Sequence, residues 1–205
     1  MKKYAIEAIR NVAVVGHSGA GKTSLIEALL YTTGAIDRLG KVDDGTATTD
    51  YDPDEIKRKI SINTAVAPCE WSGRKLNLLD TPGYPDFVGD VVGALRVADG
   101  SLIVVDAVGG VEVGTETGWD VATSRGVARA FFVNKMEREN ADFNRVLEQL
   151  RTTFGRNVAP VQLPIGSQDS FRGVVDLVDM KAYIWEGGKP VAQDIPADLQ
   201  GQAQE

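Results

Sequence analysis

Short apolar runs alternate with helix-like segments through roughly the first three quarters of the chain. Five of these runs predict β-strands, at residues 11–15, 62–71, 74–80, 101–107 and 128–134. The segments between them predict helices at residues 21–34, 85–100, 113–126 and 141–155. Strands that are apolar throughout and alternate with helices indicate a sheet with both faces covered.

Two of the strand candidates, residues 62–71 and 74–80, predict a hairpin that turns at Ser72-Gly73. Such a hairpin places an antiparallel strand at the edge of an otherwise parallel sheet. The predicted fold class is therefore α/β, with a mostly parallel sheet, an antiparallel edge hairpin and helices on both faces.

Two stretches depart from this alternation. Residues 35–59 are polar and rich in Gly, Asp and Thr, and a loop that long inside a compact domain is usually functional or disordered. From about Pro160 the pattern favours strands, and residues 191–205 are polar and end without a closing signal. We interpret this end as a truncation or as the edge of a second subdomain.

Composition narrows the function classes. The chain has 205 residues, 43% of them hydrophobic, which suits one globular domain and the beginning of a second. A net charge of −7 argues against an autonomous, electrostatically driven nucleic-acid binder.

Cys69 is the sole cysteine, so it forms no internal disulfide and is most simply a small core residue. The N-terminus has neither a signal-peptide core nor a membrane-spanning run, so we predict a cytoplasmic protein with no membrane partner.

The stretch GHSGAGKT, residues 16–23, fits the phosphate-loop pattern G-x-x-x-x-G-K-[ST] between a predicted strand and a predicted helix. Its glycines let the backbone wrap around phosphate oxygens, and the helix N-terminus faces the anion. Lys22 is predicted to reach the β- and γ-phosphates, and the Thr23 hydroxyl to bind Mg²⁺. The alternative is a glycine-rich turn that happens to precede a helix. The predicted nucleotide-binding residues of this stretch are Gly16, His17, Ser18, Gly19, Ala20, Gly21, Lys22, Thr23 and Ser24.

Three further residues are predicted to face the metal and the γ-phosphate. Asp80 ends an apolar strand, where an aspartate of the Walker B type holds Mg²⁺. Gly83 follows three residues later and is predicted to offer its N–H to the γ-phosphate. Ser61, at the end of the long polar stretch, is a candidate metal ligand that would report the γ-phosphate. The alternative for Asp-Thr-Pro-Gly is an ordinary strand-ending turn, and the basic run at residues 57–59 is interpreted as a solvated face.

The stretch NKME, residues 134–137, follows a predicted strand and resembles the guanine-recognition box N-K-x-D. In that box the carboxylate accepts hydrogen bonds from guanine groups that adenine does not offer. Asn134 would help fix the base, the Lys135 stem would pack on its face, and Glu137 would supply the carboxylate. Glu137 has one methylene more than aspartate, and hydrogen-bond discrimination depends on geometry. The alternatives are a polar helix N-terminus and an ATPase with altered base specificity.

Together these stretches resemble the GTP-binding domain of the elongation factor G family, within the translational GTPases. The resemblance runs from about Asn11 to Tyr183 and includes GHSGAGKTSL, RKISINTA, LLDTPGYPDFVGDV, LIVVDAVGGVEVGTE, FFVNKMERENADF and PVQLPIGSQDSFRGVVDLVDMKAY. A phosphate loop is moderately specific, whereas DTPG-x-x-DF with GVEVGTE and the NKM box is far more specific to this family. The resemblance implies a P-loop NTPase fold, GTP and GDP as ligands, and Mg²⁺ as cofactor.

The resemblance also implies a domain division and a partner. Residues 1–158 correspond to the GTP-binding domain, and residues 159–205 to the start of a subdomain inserted in it. In the family the last guanine box lies beyond that insert, so we expect the domain of this chain to lack that segment. The implied partner is the ribosome, contacted mainly through domains outside residues 1–205.

Four positions depart from the family pattern. Gly19 stands where translational GTPases usually have an aspartate, Ser61 where they have the metal-binding threonine, and Lys59 where they have glycine. Tyr84 replaces the histidine of D-T-P-G-H-x-D, which is expected to orient the attacking water. These changes resemble the elongation factor G-like branch of the family.

Tyr84 determines how the resemblance bears on GTP hydrolysis. A tyrosine is neutral at pH 7 and can position water through its hydroxyl, but it brings no positive charge. Because phosphoryl transfer depends mostly on positioning and electrostatics, Lys22, Gly83 and Mg²⁺ would still support a slow reaction. The predicted catalytic residues are therefore Tyr84, Lys22 and Gly83. The alternative for Tyr84 is packing against Phe87 or another domain, and the alternative function is a GTP-dependent binding module with little hydrolysis.

Overall fold

The computed structural model describes residues 2–204. These residues form two compact units. The first unit comprises residues 2–106 and 112–134, and the second comprises residues 107–111 and 135–204. The boundary between residues 158 and 159 that the sequence suggests stays a prediction.

The first unit contains one sheet of five strands. The strands are β1 (Ile9–Gly16), β2 (Ala65–Trp71), β3 (Arg74–Asp80), β4 (Gly100–Asp106) and β5 (Ala128–Asn134). They lie in the order β2-β3-β1-β4-β5, and every pairing is parallel except that of β2 with β3. The predicted α/β class, with its mostly parallel sheet and antiparallel edge hairpin, is confirmed.

Helices cover both faces of this sheet. The helices of the first unit are α1 (Lys22–Thr32), α2 (Pro53–Arg58), α3 (Val88–Val97) and α4 (Val113–Ser124), of which α2 lies in the segment between α1 and β2. Val14 of β1 belongs to the same core cluster as Ile26 and Leu30 of α1. Its neighbour Val15 packs on α4, because a Cβ added at Gly118 would lie 2.8 Å from the Val15 Cγ2 atom. Successive residues of a strand point to opposite faces, so α1 and α4 lie on opposite sides.

The edge hairpin turns where the sequence predicts. Trp71 pairs with Arg74, and the two residues between them, Ser72 and Gly73, have φ angles of 48° and 77°. Left-handed dihedrals at both central positions are the geometry of the two-residue turn that matches the twist of the flanking strands. This turn fixes the register of β2 on β3.

The segment between α1 and β2, residues 35–64, is called the long loop below. It contains α2, which the hydrophobic pattern missed because six residues are too few to show a period. The signals of this helix are local. Asp52 accepts from the Asp54 N–H at 2.8 Å, Glu55 accepts from the Asp52 N–H at 3.2 Å, and Lys59 ends the helix with φ 56°.

The second unit combines a helix with an antiparallel sheet. Its elements are α5 (Phe143–Phe154), β6 (Gln162–Ile165), β7 (Gly173–Asp176), β8 (Lys181–Glu186), β9 (Lys189–Gln193) and α6 (Gln200–Gln204). The four strands pair in chain order, and Leu163, Ile165, Val175 and Ala182 form the core of the unit. The strand-rich character predicted from residue 160 is confirmed.

The helices of both units are short. Among residues 2–204 the longest are α4 and α5, with 12 residues each. No helix in this part of the chain is long and apolar enough to cross a membrane.

Candidate nucleotide-binding site

The candidate site lies in the first unit, where two neighbouring parallel strands end. Val14 of β1 is in register with Asp80, the last residue of β3. Strand β1 runs directly into the phosphate loop, residues 16–23, and from there into α1. In open α/β sheets ligands bind at the carboxyl ends of the strands, which is where these segments meet.

The phosphate loop has backbone conformations that favour glycine. Gly19 has φ 77°, and Gly21, which caps α1, has φ 94°. Gly16 has φ 140°, and a Cβ there would lie 2.4 Å from the Val104 carbonyl oxygen of the adjacent strand. L-residues with a side chain rarely adopt such angles, so the three glycines shape the loop. The result is a glycine-lined turn at the N-terminus of a helix, which is a favourable place for an anion.

Lys22 is buried at the centre of the site, with 6% of its surface exposed. Its Nζ donates to the carbonyl oxygens of Gly16, at 3.1 Å, and His17, at 2.9 Å. Burial lowers the Lys22 pKa to about 8, while the carboxyl groups of Asp80 and Asp50 oppose that shift. The ammonium group is therefore held by the phosphate loop itself.

A cluster of hydroxyl and carboxylate groups lies beside Lys22. The Thr23 and Ser61 hydroxyl oxygens are 3.2 Å apart, and the Ser61 hydroxyl donates to Asp50 Oδ1 at 2.8 Å. The Thr49 hydroxyl donates to Asp80 Oδ2 at 2.6 Å. These bonds bring together the phosphate-loop helix, the end of β3 and two segments of the long loop.

Two oxygens of this cluster have no hydrogen-bond partner among the described residues. They are Asp80 Oδ1 and Asp50 Oδ2, and both are buried. Burial raises the pKa of Asp80 to about 6 and also raises the pKa of Asp50. Buried, unpaired carboxylate oxygens beside two hydroxyls are the all-oxygen ligand set that Mg²⁺ prefers, so the residues present fit this ion.

Gly83 brings the segment after β3 against the phosphate loop. A Cβ added at Gly83 would lie 2.4 Å from Lys22 Nζ and 2.7 Å from the Ser18 backbone nitrogen. Because even one added carbon atom would clash here, the backbone of residue 83 is in direct contact with the phosphate loop. Glycine at this position follows from that approach.

Tyr84 directly follows Gly83 and lies on the surface, with 41% of the residue exposed. It lines a shallow cleft together with Gly16, Val88 and Val113. Its hydroxyl makes no hydrogen bond to any of residues 2–204 in this structure. The apolar lining fits the packing alternative, whereas the free hydroxyl keeps the water-positioning alternative open.

His17 contributes its backbone to the phosphate loop and directs its ring to the start of α4. Its Nδ1 accepts from the Gly114 N–H at 3.3 Å, and its Nε2 lies 3.6 Å from Glu112 Oε1. A Cβ on Gly114 would lie 2.4 Å from the His17 Cα atom, so helix and loop are in tight contact. The side chain of His17 therefore joins two structural elements.

The guanine-box candidates differ in where they lie. Asn134, at the end of β5, donates from Nδ2 to the Ala20 carbonyl oxygen at 2.9 Å and so joins the phosphate loop within the first unit. Lys135 and Glu137 belong to the second unit. Lys135 has a left-handed φ of 63°, and Glu137 is exposed. The role of these residues in base recognition stays a prediction.

Sequence reasoning missed Thr49 and Asp50. Both are buried, at 3% and 5% exposure, and both contact predicted metal ligands. The available signal was the Thr-Thr-Asp run at residues 48–50 inside a stretch already predicted to be functional. Nothing local distinguishes these residues from the other polar residues of the long loop, because the partner of Thr49 is 31 residues away and that of Asp50 is 11 residues away.

Comparison with known families agrees with this geometry. The model of the elongation factor Tu GTP binding domain matches residues 7–192. The chain belongs to this family. Members of the elongation factor Tu GTP binding domain family bind guanine nucleotide, and the phosphate loop, Asp80 and Asn134 all lie within the matched range.

The chain is also similar along its whole length to elongation factor G. It is 44% identical over 209 residues to elongation factor G of Granulibacter bethesdensis and 42% identical over 207 residues to that of Gluconobacter oxydans. These alignments cover 100% and 99% of this chain and 30% of each relative. The chain thus spans about 30% of the length of these relatives.

A solved structure supports the same assignment. A crystal structure of a protein from Thermus thermophilus superposes with a TM-score of 0.91 at 43% sequence identity, covering 96% of this chain and 30% of that one. The resemblance to the translational GTPases and their elongation factor G family is confirmed. The chain is a GTP-binding domain of that family.

Proposed function

We propose that this chain binds GTP and GDP together with Mg²⁺ and hydrolyses GTP as the conformational switch of an elongation factor G-like translational GTPase, acting on the ribosome in the cytoplasm. The observation that carries the proposal is the pair of buried oxygens, Asp80 Oδ1 and Asp50 Oδ2, that lack a partner among the described residues. They lie in a cluster with Thr23 and Ser61, beside Lys22.

The phosphate groups would bind to the phosphate loop. Its N–H groups and the N-terminus of α1 provide the neutral donors, and Lys22 provides the charge. Lys22 Nζ now donates to the Gly16 and His17 carbonyl oxygens, so it is already held within the loop that would wrap the phosphates. Gly83, in contact with Lys22, would add its N–H to the γ-phosphate.

The metal would be held by Thr23, Ser61 and Asp80. Held by these residues, Mg²⁺ would supply positive charge that offsets the negative charge developing during phosphoryl transfer. The chain orients these ligands in pairs, since Thr49 holds Asp80 at 2.6 Å and Asp50 holds Ser61 at 2.8 Å. Asp50 itself presents an unpaired buried oxygen to the same space.

Switching would follow from where these residues lie. Ser61, Thr49 and Asp50 all belong to the long loop, whereas Thr23 and Asp80 belong to α1 and β3. Because the proposed ligands come from the long loop and from these fixed elements, the long loop would be held in place only while Mg²⁺ and nucleotide are bound. Loops held through the γ-phosphate and its metal are released when that phosphate leaves.

Guanine recognition would rest on Asn134, Lys135 and Glu137. The Asn134 bond to the Ala20 carbonyl supports this role, because it fixes the amide against the phosphate loop. Competition of ATP against GTP distinguishes the guanine site from an ATPase with altered base specificity. Equal competition by ATP would favour the ATPase.

The experiment that tests hydrolysis is single-turnover GTP cleavage by the protein and by the Tyr84→Phe variant, each with and without ribosomes. We expect ribosomes to stimulate cleavage and the variant to lose at least about tenfold of the stimulated rate, because it lacks the hydroxyl that positions water. If ribosomes stimulate Tyr84→Phe as much as wild type, the protein is still a GTPase, but Tyr84 has only a packing role.

One observation favours a second function, a GTP-dependent binding module with little hydrolysis. Tyr84 is 41% exposed in an apolar cleft and contributes no charge to the site. Bound GTP that is not cleaved in either condition, or slow cleavage that ribosomes do not change, would favour this function over the switch.

A further inference from the structure

The long loop is attached to α1 by the side chain of Glu27. Glu27 Oε2 accepts from the Gly40 N–H at 2.9 Å, and Glu27 Oε1 accepts from the Thr48 N–H. One carboxylate thus receives backbone hydrogen bonds from two points eight residues apart in the loop. Hydrogen bonds to an ionised group are roughly twice as strong as those between neutral groups.

Glu27 occupies a place where a carboxylate is unusual. It follows Thr23 by four residues and so lies on the same face of α1, a face that also buries Ile26 and Leu30. Only 1% of its surface is exposed, and it forms no ion pair with any of residues 2–204. A buried carboxylate without a cationic partner is costly unless its oxygens are well hydrogen-bonded. The two loop N–H groups meet that need.

Gly40 shows how closely the loop approaches this carboxylate. Gly40 is buried, and a Cβ there would lie 2.6 Å from Glu27 Oε2 and 2.3 Å from the Thr46 carbonyl oxygen. The turn at residues 40–46 is therefore closed on itself and seated directly on Glu27. Glycine at position 40 follows from this contact.

The second attachment point lies directly before the metal-side cluster. Thr48 precedes Thr49, which holds Asp80, and Asp50, which accepts from Ser61. With the Thr48 nitrogen fixed, the next two side chains have little freedom to leave the cluster. The Glu27 carboxylate is also near enough to act on Asp50, whose pKa is raised mainly by burial and further by Glu55 and Glu27.

We propose that Glu27 is a positioning residue of the GTPase site, which holds residues 48–50 of the long loop so that Thr49 and Asp50 face the metal. The proposal rests on the function proposed above, because the Mg²⁺ site is what Glu27 positions. In this proposal Glu27 is neither a nucleotide contact nor a metal ligand. It acts through two backbone hydrogen bonds.

The first test is hydrogen exchange of the nucleotide-free chain, comparing wild type with Glu27→Gln. The amide oxygen of glutamine can accept one of the two bonds, but its NH₂ group faces the other N–H donor. We expect the amides of Gly40 and Thr48 to exchange about tenfold faster. Glu116→Gln, an exposed glutamate on α4, is the matched control and should leave both amides unchanged.

The second test separates positioning from general stability. GTP affinity is measured by calorimetry in Mg²⁺ and in EDTA for the same variants. We expect Glu27→Gln to reduce the ratio of the two affinities about tenfold while the affinity in EDTA stays within about twofold. A merely structural role would lower both affinities together and leave their ratio unchanged.

A second variant approaches the same contact from the loop. Gly40→Ala forces a methyl group against Glu27 Oε2 and against the Thr46 carbonyl oxygen, whereas Gly93→Ala on α3 has no atom within 4 Å and serves as its control. If Glu27→Gln does not fold, Gly40→Ala should still reduce the ratio of GTP affinity in Mg²⁺ to that in EDTA, and Gly93→Ala should not.

The outcomes distinguish this inference from the proposed function. An unchanged affinity ratio in Glu27→Gln and Gly40→Ala, with a clear Mg²⁺ effect in wild type, overturns the positioning role. Unchanged exchange at Gly40 and Thr48 overturns the attachment itself. If wild type binds no GTP in either buffer, the proposed function fails and the positioning role with it. Exchange then decides only whether Glu27 holds the loop.

Discussion

The phosphate loop and the long loop converge on the same helix, but different interactions hold them in place. The phosphate loop is shaped by its own glycines, and Lys22 bonds back to carbonyl oxygens five and six residues earlier. The long loop has one local turn, at residues 40–46, where the N–H groups of Gly45 and Thr46 donate to the carbonyl oxygens of Val42 and Lys41. Beyond that turn the loop depends on contacts from elsewhere. It is held by side chains that are distant in the sequence, on α1, on β3 and on its own short helix.

Two buried carboxylates provide most of this attachment. Glu27 binds the N–H groups of Gly40 and Thr48. Glu55, also 1% exposed, accepts from the N–H groups of Ile62 and Asn63 at 2.9 and 3.0 Å. The segments that carry Asp50 and Ser61 are therefore each fixed by one acidic side chain.

This difference indicates which part of the site can move. A loop shaped by the dihedral angles of its own residues keeps its form whether or not the nucleotide is present. A loop held by a few long-range hydrogen bonds opens when some of them are lost, as expected for segments at the low end of local stability. We expect the phosphate loop to bind the nucleotide without changing its shape and the long loop to change conformation.

The largest effect is expected at the phosphate loop itself. Lys22→Met removes the buried ammonium that lies beside Asp80 and Asp50 and leaves those carboxylates without a counter-charge. We expect GTP affinity in Mg²⁺ to fall by about 10³-fold, or roughly 4 kcal/mol, measured by calorimetry. Lys57→Met, on the exposed side of α2, is the control. Binding by Lys22→Met within about threefold of wild type would contradict the central place given to this side chain.

The next largest effect is expected in the pH dependence of the free energy of unfolding, and it comes from Asp80, which Thr49 of the long loop contacts. Burial raises the Asp80 pKa from an ordinary 3.8 to about 6, so between those values the folded chain binds more protons than the unfolded chain. The free energy of unfolding in EDTA should therefore fall as the pH rises from about 4 to about 6, by about 3 kcal/mol from this group. Urea denaturation of wild type and Asp80→Asn across that range measures it. Parallel pH profiles for the two proteins would exclude the shift.

A smaller effect is expected from the second carboxylate of the long loop. Glu55→Gln weakens three backbone hydrogen bonds, from Asp52, Ile62 and Asn63, and should cost about 2 kcal/mol of unfolding free energy in urea. Glu116→Gln should change it by less than about 0.5 kcal/mol. A loss at Glu55 no larger than in that control would mean that the long loop is held by other contacts.

The same division explains what the sequence could predict. The phosphate loop, Asp80 and Gly83 lie within short motifs whose spacing and glycines determine the local backbone, and the structure brings them together at one sheet edge. The hairpin turn at Ser72-Gly73 was predictable for the same reason. The strands and long helices followed from hydrophobic period because their burial repeats along the chain.

The rest depended on contacts between distant residues. Thr49 and Asp50 look like any polar loop residues until the fold places them against Asp80 and Ser61. From the sequence, Glu27 looks like an ordinary helix residue, because no neighbouring residue indicates that the long loop will bury it. Helix α2 was missed because its capping residues, and not its apolar pattern, define it.

The account depends most on one statement, that the two loops share a single site for GTP and Mg²⁺. Calorimetric titration of the chain with GTP, in Mg²⁺ and in EDTA, beside the Asp50→Asn variant, tests it directly. We predict that wild type binds GTP at least about tenfold more tightly in Mg²⁺ and that Asp50→Asn loses most of this gain without losing affinity in EDTA. Equal affinity of wild type in both buffers, or a full Mg²⁺ effect in Asp50→Asn, would contradict the account.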